Sequence, residues 1–256
     1  MGEIITAGNL DEVVRKNIEI HEDMLQKAIL VRTNWNSMQI NSSVQLAMHI
    51  LRMYGLVEVP IANQNWSGAI YVKSDKKIPV INTALPRANQ YFTAWSVIYH
   101  LIFDQVLLGR IIETDTVYDD RKAAYFASLM LIGNLLPYYN LLSNMDFTSK
   151  VFHCMDTFRA PYKAVLISIY EAALQNGNNE LIELVRQNFD VHIVNIADRF
   201  RAIGLDDSLV KPSNVVNVTA LQSKIQDCIK REPEIAYNKD NLSTLETIVK
   251  NFTYID

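Results

Sequence analysis

The chain has 256 residues, 49% of them apolar and 20% charged, with a formal net charge of −4. That is enough apolar material for one large or two small packed domains. The mild acidity argues against a broad nucleic-acid surface, and no stretch has the length and apolarity of a membrane span. Cys154 and Cys228 have no metal-type spacing and read as buried thiols in a reducing compartment. The first twenty residues carry six charges and no apolar run, so no secretory leader is expected and the expected location is cytoplasmic.

In chain order, the periodicity predicts a helix over 10–31, with Val13, Val14, Leu25, Ala28 and Ile29 apolar among charges. Asn34 to Asn41 is a polar break. Ser42 followed by Gln45 resembles a capping box that opens a second helix, with Val44, Ala47, Met48 and Leu51 on its inner face and Gly55 at its end. Short β-type runs follow at 56–60, 68–73 and 78–82, with Ser74 to Lys77 as a hairpin turn. After Pro86 the pattern turns helical to the end, with helices predicted over 88–109, 119–136, 147–158, 161–175, 178–188, 192–203, 217–230 and 242–253. Residues 1–40 therefore read as a helical extension, 41–137 as an α+β core and 138–256 as a helical C-terminal region. No linker-like composition separates them.

One ordered series of segments carries a resemblance. Tyr54-Gly55-Leu56-Val57-Glu58-Val59 leads into the β-type runs, and Gly68 to Val72 is followed by Ile78 to Val80 and then Ile81-Asn82. Phe92-Thr93 opens a helix that continues through Trp95, Ser96, Val97, Tyr99 and His100. Asp120 stands at the head of a segment ending Ala123-Ala124-Tyr125-Phe126-Ala127, and Phe189-Asp190-Val191 and Arg199-Phe200 through Ile203-Gly204-Leu205 close the series. Over roughly residues 45–205 this order is similar to the ImmA/IrrE family of metallopeptidases of phages and mobile elements. The resemblance implies an α+β fold with a small sheet packed on a zincin-type helix, and a role acting on a helix-turn-helix repressor.

An HExxH helix sets two zinc-ligating histidines one turn apart, with a glutamate base beside the first. The positions that match it here are Ser96, Val97 and His100, and Asp120 matches the third ligand. A hydroxyl is a poor zinc ligand, valine cannot act as a base, and two ligands fall short of a catalytic zinc site. No catalytic residue, metal or cofactor is therefore expected. The resemblance implies a pseudoenzyme that binds a helix-turn-helix repressor. The alternatives are an active zinc endopeptidase with a variant site on His100 and Asp120, and a DNA-binding regulator using 184–205.

The pocket-remnant residues on this reading are Ser96, Tyr99, His100 and Asp120. The plainer reading makes Ser96 and His100 a hydrogen-bonded polar pair filling an old cavity, with His100 and Asp120 as an imidazole–carboxylate pair without metal. Tyr91, Phe92, Trp95, Tyr99 and Phe103 recur at helical spacing and read as core; Tyr99, beside His100, is placed to fill the cleft. His153, Cys154 and Asp156 are neighbours that point to different sides of a helix and make a poor metal site. In 184–205, Arg199 and Arg201 are offset by Asp198, with no basic run around them.

Overall fold

A computed structural model describes residues 4–35, 40–73, 76–106, 109–113 and 120–253. The architecture is α+β. Helices α1 (Leu10–Trp35) and α2 (Ser43–Met53) precede strands β1 (Val57–Val59), β2 (Trp66–Lys73) and β3 (Lys76–Asn82). Helix α3 (Arg87–Phe103), strand β4 (Arg110–Glu113) and helix α4 (Arg121–Leu131) complete the central layer. The rest is helical: α5 (Leu136–Leu141), α6 (Phe147–Phe158), α7 (Tyr162–Gln175), α8 (Asn179–Phe189), α9 (Ile196–Ala202), α10 (Thr219–Arg231) and α11 (Ala236–Thr253). No helix among the described residues is long and apolar enough to cross a membrane.

The sheet has the order β1-β3-β2-β4. β1 runs parallel to β3, while β2 is antiparallel to both β3 and β4. α3 packs on β2 and β3 and against α2 and α4. The close approach of sheet and helix depends on Gly68, where a Cβ would sit 2.5 Å from the Val80 carbonyl oxygen and 3.1 Å from Thr93 Cγ2.

The expected β-type runs all form strands of this one sheet, but the helix expected over 88–109 ends early, and β4 follows in the gap before the helix expected from 119. α3 stops at Phe103 because Asp104 turns extended. Gly109 then takes a φ of +98°, with the carbonyl oxygen of Ile70 only 3.0 Å from where a Cβ would be, a conformation and an approach that suit glycine. Ile111 and Ile112 pair with Ala69 and Gly68. Likewise the expected helix over 119–136 ends at Leu131, and a separate α5 follows a left-handed turn at Gly133. Ser42 caps α2 by accepting from the Gln45 amide. Leu46, Ala47, Ile50 and Leu51 are its buried face, so Leu46 and Ile50 take the places expected of Val44 and Met48. Lys76 and Lys77 pair within the hairpin, while Ser74 and Asp75 lie outside the described residues.

The buried apolar cluster runs from Ile5 to Val210 and draws on α1, the central layer and the helices after α5. Residues 208–217 return to the centre as a strap. Arg87 donates its amide to Lys211 O and its Nη1 to Ser208 O, Asn214 donates to Thr83 O, and Glu58 and Asn217 exchange both backbone hydrogen bonds. α10 and α11 pair mainly with each other, and α10 has no buried residue.

The tightest polar feature of the sheet is Asn82, which is fully buried at the end of β3. Its Oδ1 accepts from Ile61 N at 2.9 Å and Ala84 N at 3.0 Å. Its Nδ2 lies 3.0, 3.2 and 2.8 Å from the carbonyl oxygens of Ile61, Asn63 and Trp66. One amide thus pins the 61–66 loop to the sheet. Asn82→Ala leaves buried backbone groups unpaired and is expected to cost roughly 3 kcal/mol in urea unfolding. Asn82→Asp should not recover the loss, because it faces a carboxylate with three carbonyls.

Candidate functional site

α3 is buried almost all round, and its polar side chains must find partners inside the protein. Gln90 donates to Thr83 O and Leu85 O, and Trp95 Nε1 donates to Ser43 Oγ at 3.1 Å. Thr93 and Ser96 bond back to carbonyls one turn earlier in the same helix, with Ser96 Oγ 3.2 Å from Phe92 O. Ser96 therefore does not form the expected pair with His100. Val97 is fully buried, and a glutamate in its place would be an ionised group inside the core.

His100 is 1% exposed and is held from both sides. Its Nδ1 is 2.5 Å from Asp104 Oδ2 and its Nε2 is 2.7 Å from Asp120 Oδ2. Arg110 on β4 reaches the same pair, with Nη2 donating to Asp120 Oδ2 at 2.9 Å and Nη1 3.9 Å from Asp104 Oδ2. An ionised carboxylate only accepts, so each ring nitrogen that faces one must carry a proton. His100 is accordingly an imidazolium, and two cations balance two carboxylates. In that state the ring has no lone pair to offer a metal. A zinc ion would have to take a proton from it and displace a carboxylate.

Asp120 stands at the N-cap of α4, yet its side chain does not cap the helix. The carboxylate goes to His100 and Arg110 instead. Burial works to raise its pKa, but the hydrogen bond and charge of His100, joined by those of Arg110, outweigh burial and hold the carboxyl below its ordinary value of 3.8.

Tyr99 stands over this cluster. Its ring meets the His100 ring edge-on at 5.3 Å and also packs on Phe103 and Phe126. Burial, helped by the charges of Asp104, Asp23 and Asp120 against that of Arg110, pushes its hydroxyl up to about 12. Lys27 of α1 lies 5.8 Å from the centre of the Tyr99 ring and 5.6 Å from that of Phe103. α1 thus covers this end of α3. Beside the cluster is a cleft of about 380 Å³ lined by Lys16, Glu19, Tyr99, Arg110, Asp120 and Lys122, among others.

The fold therefore brings Tyr99, His100 and Asp120 together and leaves Ser96 and Val97 out of the polar cluster. Asp104 and Arg110 are the members that sequence reading missed. Asp104 is four residues from His100, the spacing that places two side chains on one face of a helix, and that signal was legible. Arg110 carried none, because its strand falls in the gap between the helices expected over 88–109 and 119–136, where no element is predicted.

Elsewhere, Cys154 is buried and burial pushes its thiol up to about 12, the state of an inert core residue. Among the described residues no group of three or more His, Cys, Asp or Glu side chains is arranged to hold a metal ion. In the 184–205 segment, α9 is seven residues long. Arg201 on it pairs with Asp198 and Asp207, and the Arg199 guanidinium lies 5.4 Å from the centre of the Phe152 ring. Compared with known protein families, with curated proteins and with solved structures, the chain finds no match.

The cluster predicts a pH response of definite sign. A carboxyl whose folded pKa is depressed stabilises the fold above its unfolded value and loses that contribution as pH falls through the folded value. Unfolding free energy should therefore drop as the solution is acidified below the ordinary Asp value of 3.8, and Asp120→Asn should remove part of that drop while lowering stability at neutral pH. His100→Ala should be harsher, costing about 3 kcal/mol at neutral pH, because it leaves two carboxylates facing a single cation. Denaturant melts of the three proteins across pH check both statements; an acid profile for Asp120→Asn that runs parallel to the parent's would contradict the first.

Proposed function

We propose that this chain is a non-hydrolytic protein of the ImmA/IrrE metallopeptidase type, with a zincin-like core, that regulates a helix-turn-helix repressor of a phage or mobile element by binding it. The observation that carries this reading is the state of His100: both ring nitrogens are engaged by carboxylates, at 2.5 and 2.7 Å. Hydrolysis at a zinc-activated water needs open metal ligands and a nearby base. The aligned base position is Val97, which is fully buried, and the aligned first-ligand position is Ser96, whose hydroxyl is turned back onto its own helix. What is left is an ionic cluster that stabilises α3 and α4 against each other. The repressor as partner rests on the resemblance in 45–205, and a valine at the base position together with a His100 ring already held by Asp104 and Asp120 favours association over cleavage as the mode of action.

Two measurements test the proposal. Elemental analysis of the purified chain should find zinc far below stoichiometric, and a chelator should leave its melting temperature unchanged. A helix-turn-helix repressor encoded beside this chain should co-elute with it in size-exclusion chromatography and keep its full mass after prolonged incubation. Stoichiometric zinc together with repressor fragments absent from a mock incubation would replace this reading with that of a zinc endopeptidase. An intact repressor that never co-elutes, but whose operator is bound by this chain in a mobility-shift assay, would favour the DNA-binding alternative.

A further inference from the structure

A second polar constellation lies away from His100, at the floor of a cleft of about 590 Å³ between α1, α4, α5 and α7. That volume is in the range of small-ligand sites. One part of the lining is apolar, with Leu25, Ala28 and Ile29 from α1 and Leu129, Leu135 and Leu136, while Ser128, Asn134, Asn140 and Gln175 also line the cleft. Ile29 is 54% exposed although it belongs to the apolar pattern of its helix.

The floor is a directed hydrogen-bond chain. Tyr125 donates its hydroxyl to Glu171 Oε1 at 2.9 Å, and His21 Nδ1 lies 2.8 Å from the same hydroxyl oxygen. Burial and the Glu171 carboxylate push the Tyr125 hydroxyl well above its ordinary range, so it keeps its proton and gives it to the carboxylate. The Tyr125 oxygen must then accept from His21, which places a proton on Nδ1. In the neutral ring Nε2 carries the lone pair, and it has no partner among the described residues. Glu171 Oε2 accepts from the fully buried Asn17 at 3.1 Å, and Asn17 Oδ1 in turn accepts from Arg121 Nη2 at 2.7 Å. The chain is thereby fixed from behind.

The field in the cleft favours a cation. Glu171 lines it, and α4 and α7 both end at the cleft, where helix C-termini carry partial negative charge. The cation on the rim, Arg32, is committed to α4, with Nη2 donating to Leu129 O at 2.9 Å and Met130 O at 3.3 Å.

We propose that this cleft binds an aliphatic ammonium group, its apolar chain lying on Leu25, Ile29 and Leu136 and its N–H groups donating to His21 Nε2 and the Glu171 carboxylate. The source is either a free alkylamine or the lysine side chain of a partner polypeptide. The inference stands apart from the reading of the His100 cluster and survives or fails without it.

Heteronuclear NMR of the full chain tests it, with hexylammonium chloride, hexanol, sodium hexanoate and N-acetyl-lysine-N-methylamide as probes. Hexylammonium should shift the His21 ring and the Ile29 and Leu136 signals in a saturable way, at concentrations about tenfold lower than hexanol or hexanoate require, the difference expected of a charge-assisted hydrogen bond. The lysine amide binding as well as hexylammonium assigns the site to a polypeptide lysine, and much weaker binding assigns it to a free amine. Glu171→Gln should weaken hexylammonium about tenfold and leave hexanol unchanged; if that variant does not fold, the ranking of the four probes on the parent chain decides. Hexanoate or hexanol binding as tightly as hexylammonium, or no saturable shift at His21 with either amine, overturns the proposal.

Discussion

The rest of the structure depends on the burial of α3. Twelve of its seventeen residues are buried, on faces that meet the sheet, α2 and α4. A helix in that position satisfies its own backbone, but each polar side chain it carries is a liability unless another element supplies a partner. Trp95 draws in Ser43 at the start of α2, and Gln90 draws in the β3–α3 turn and, through Ser213 Oγ, the returning strap. His100 draws in Asp120 at the start of α4 and, through it, Arg110 on β4. The neighbours of α3 are held in place as much by these requirements as by apolar contact.

The sheet responds to the same constraint from its other side. It can lie close to α3 only because Gly68 has no side chain where β2 crosses Thr93. Its far end is closed by Asn82, whose amide gives the 61–66 loop the backbone partners that a longer strand pairing would have given. The parallel pairing of β1 with β3 leaves the outer edge of β1 open, and the strap covers it at Glu58 with a two-way backbone pair to Asn217. Residues more than a hundred apart in sequence thus finish the sheet.

Local patterns made much of this legible. The alternating runs became β2 and β3, the Ser42 cap opened α2, and helical periodicity located α6, α7 and α8 to within a residue at each end. What stayed hidden was whatever a distant partner decides. β4 is four residues whose identity as a strand is settled by β2, and so short a run shows no alternation of its own. α1 reads from sequence as an extension, yet Asn17, fully buried within it, links Arg121 to Glu171, and no local spacing announces that. At the candidate site the pairing of His100 with Asp120 was an open alternative, whereas Ser96 was misjudged: a serine inside a helix has the carbonyl one turn back within constant reach, and a buried hydroxyl takes the nearest acceptor.

The composition of the His100 cluster follows from electrostatics. A buried neutral imidazole needs one donor and one acceptor placed around it, whereas an imidazolium needs two acceptors and a compensating charge. Asp120 alone would give one of these. Asp104, one turn on from His100 at the C-cap of α3, gives the other, and there it can face His100 at little desolvation cost, since it is 32% exposed. Two carboxylates on one imidazolium leave a net negative charge, which Arg110 cancels from the neighbouring strand. Each addition is made necessary by the one before it. The cost falls on α4, whose N-terminal amides lose the cap that Asp120 would otherwise provide. That α4 begins without it is the mark of how strongly the histidine claims the carboxylate.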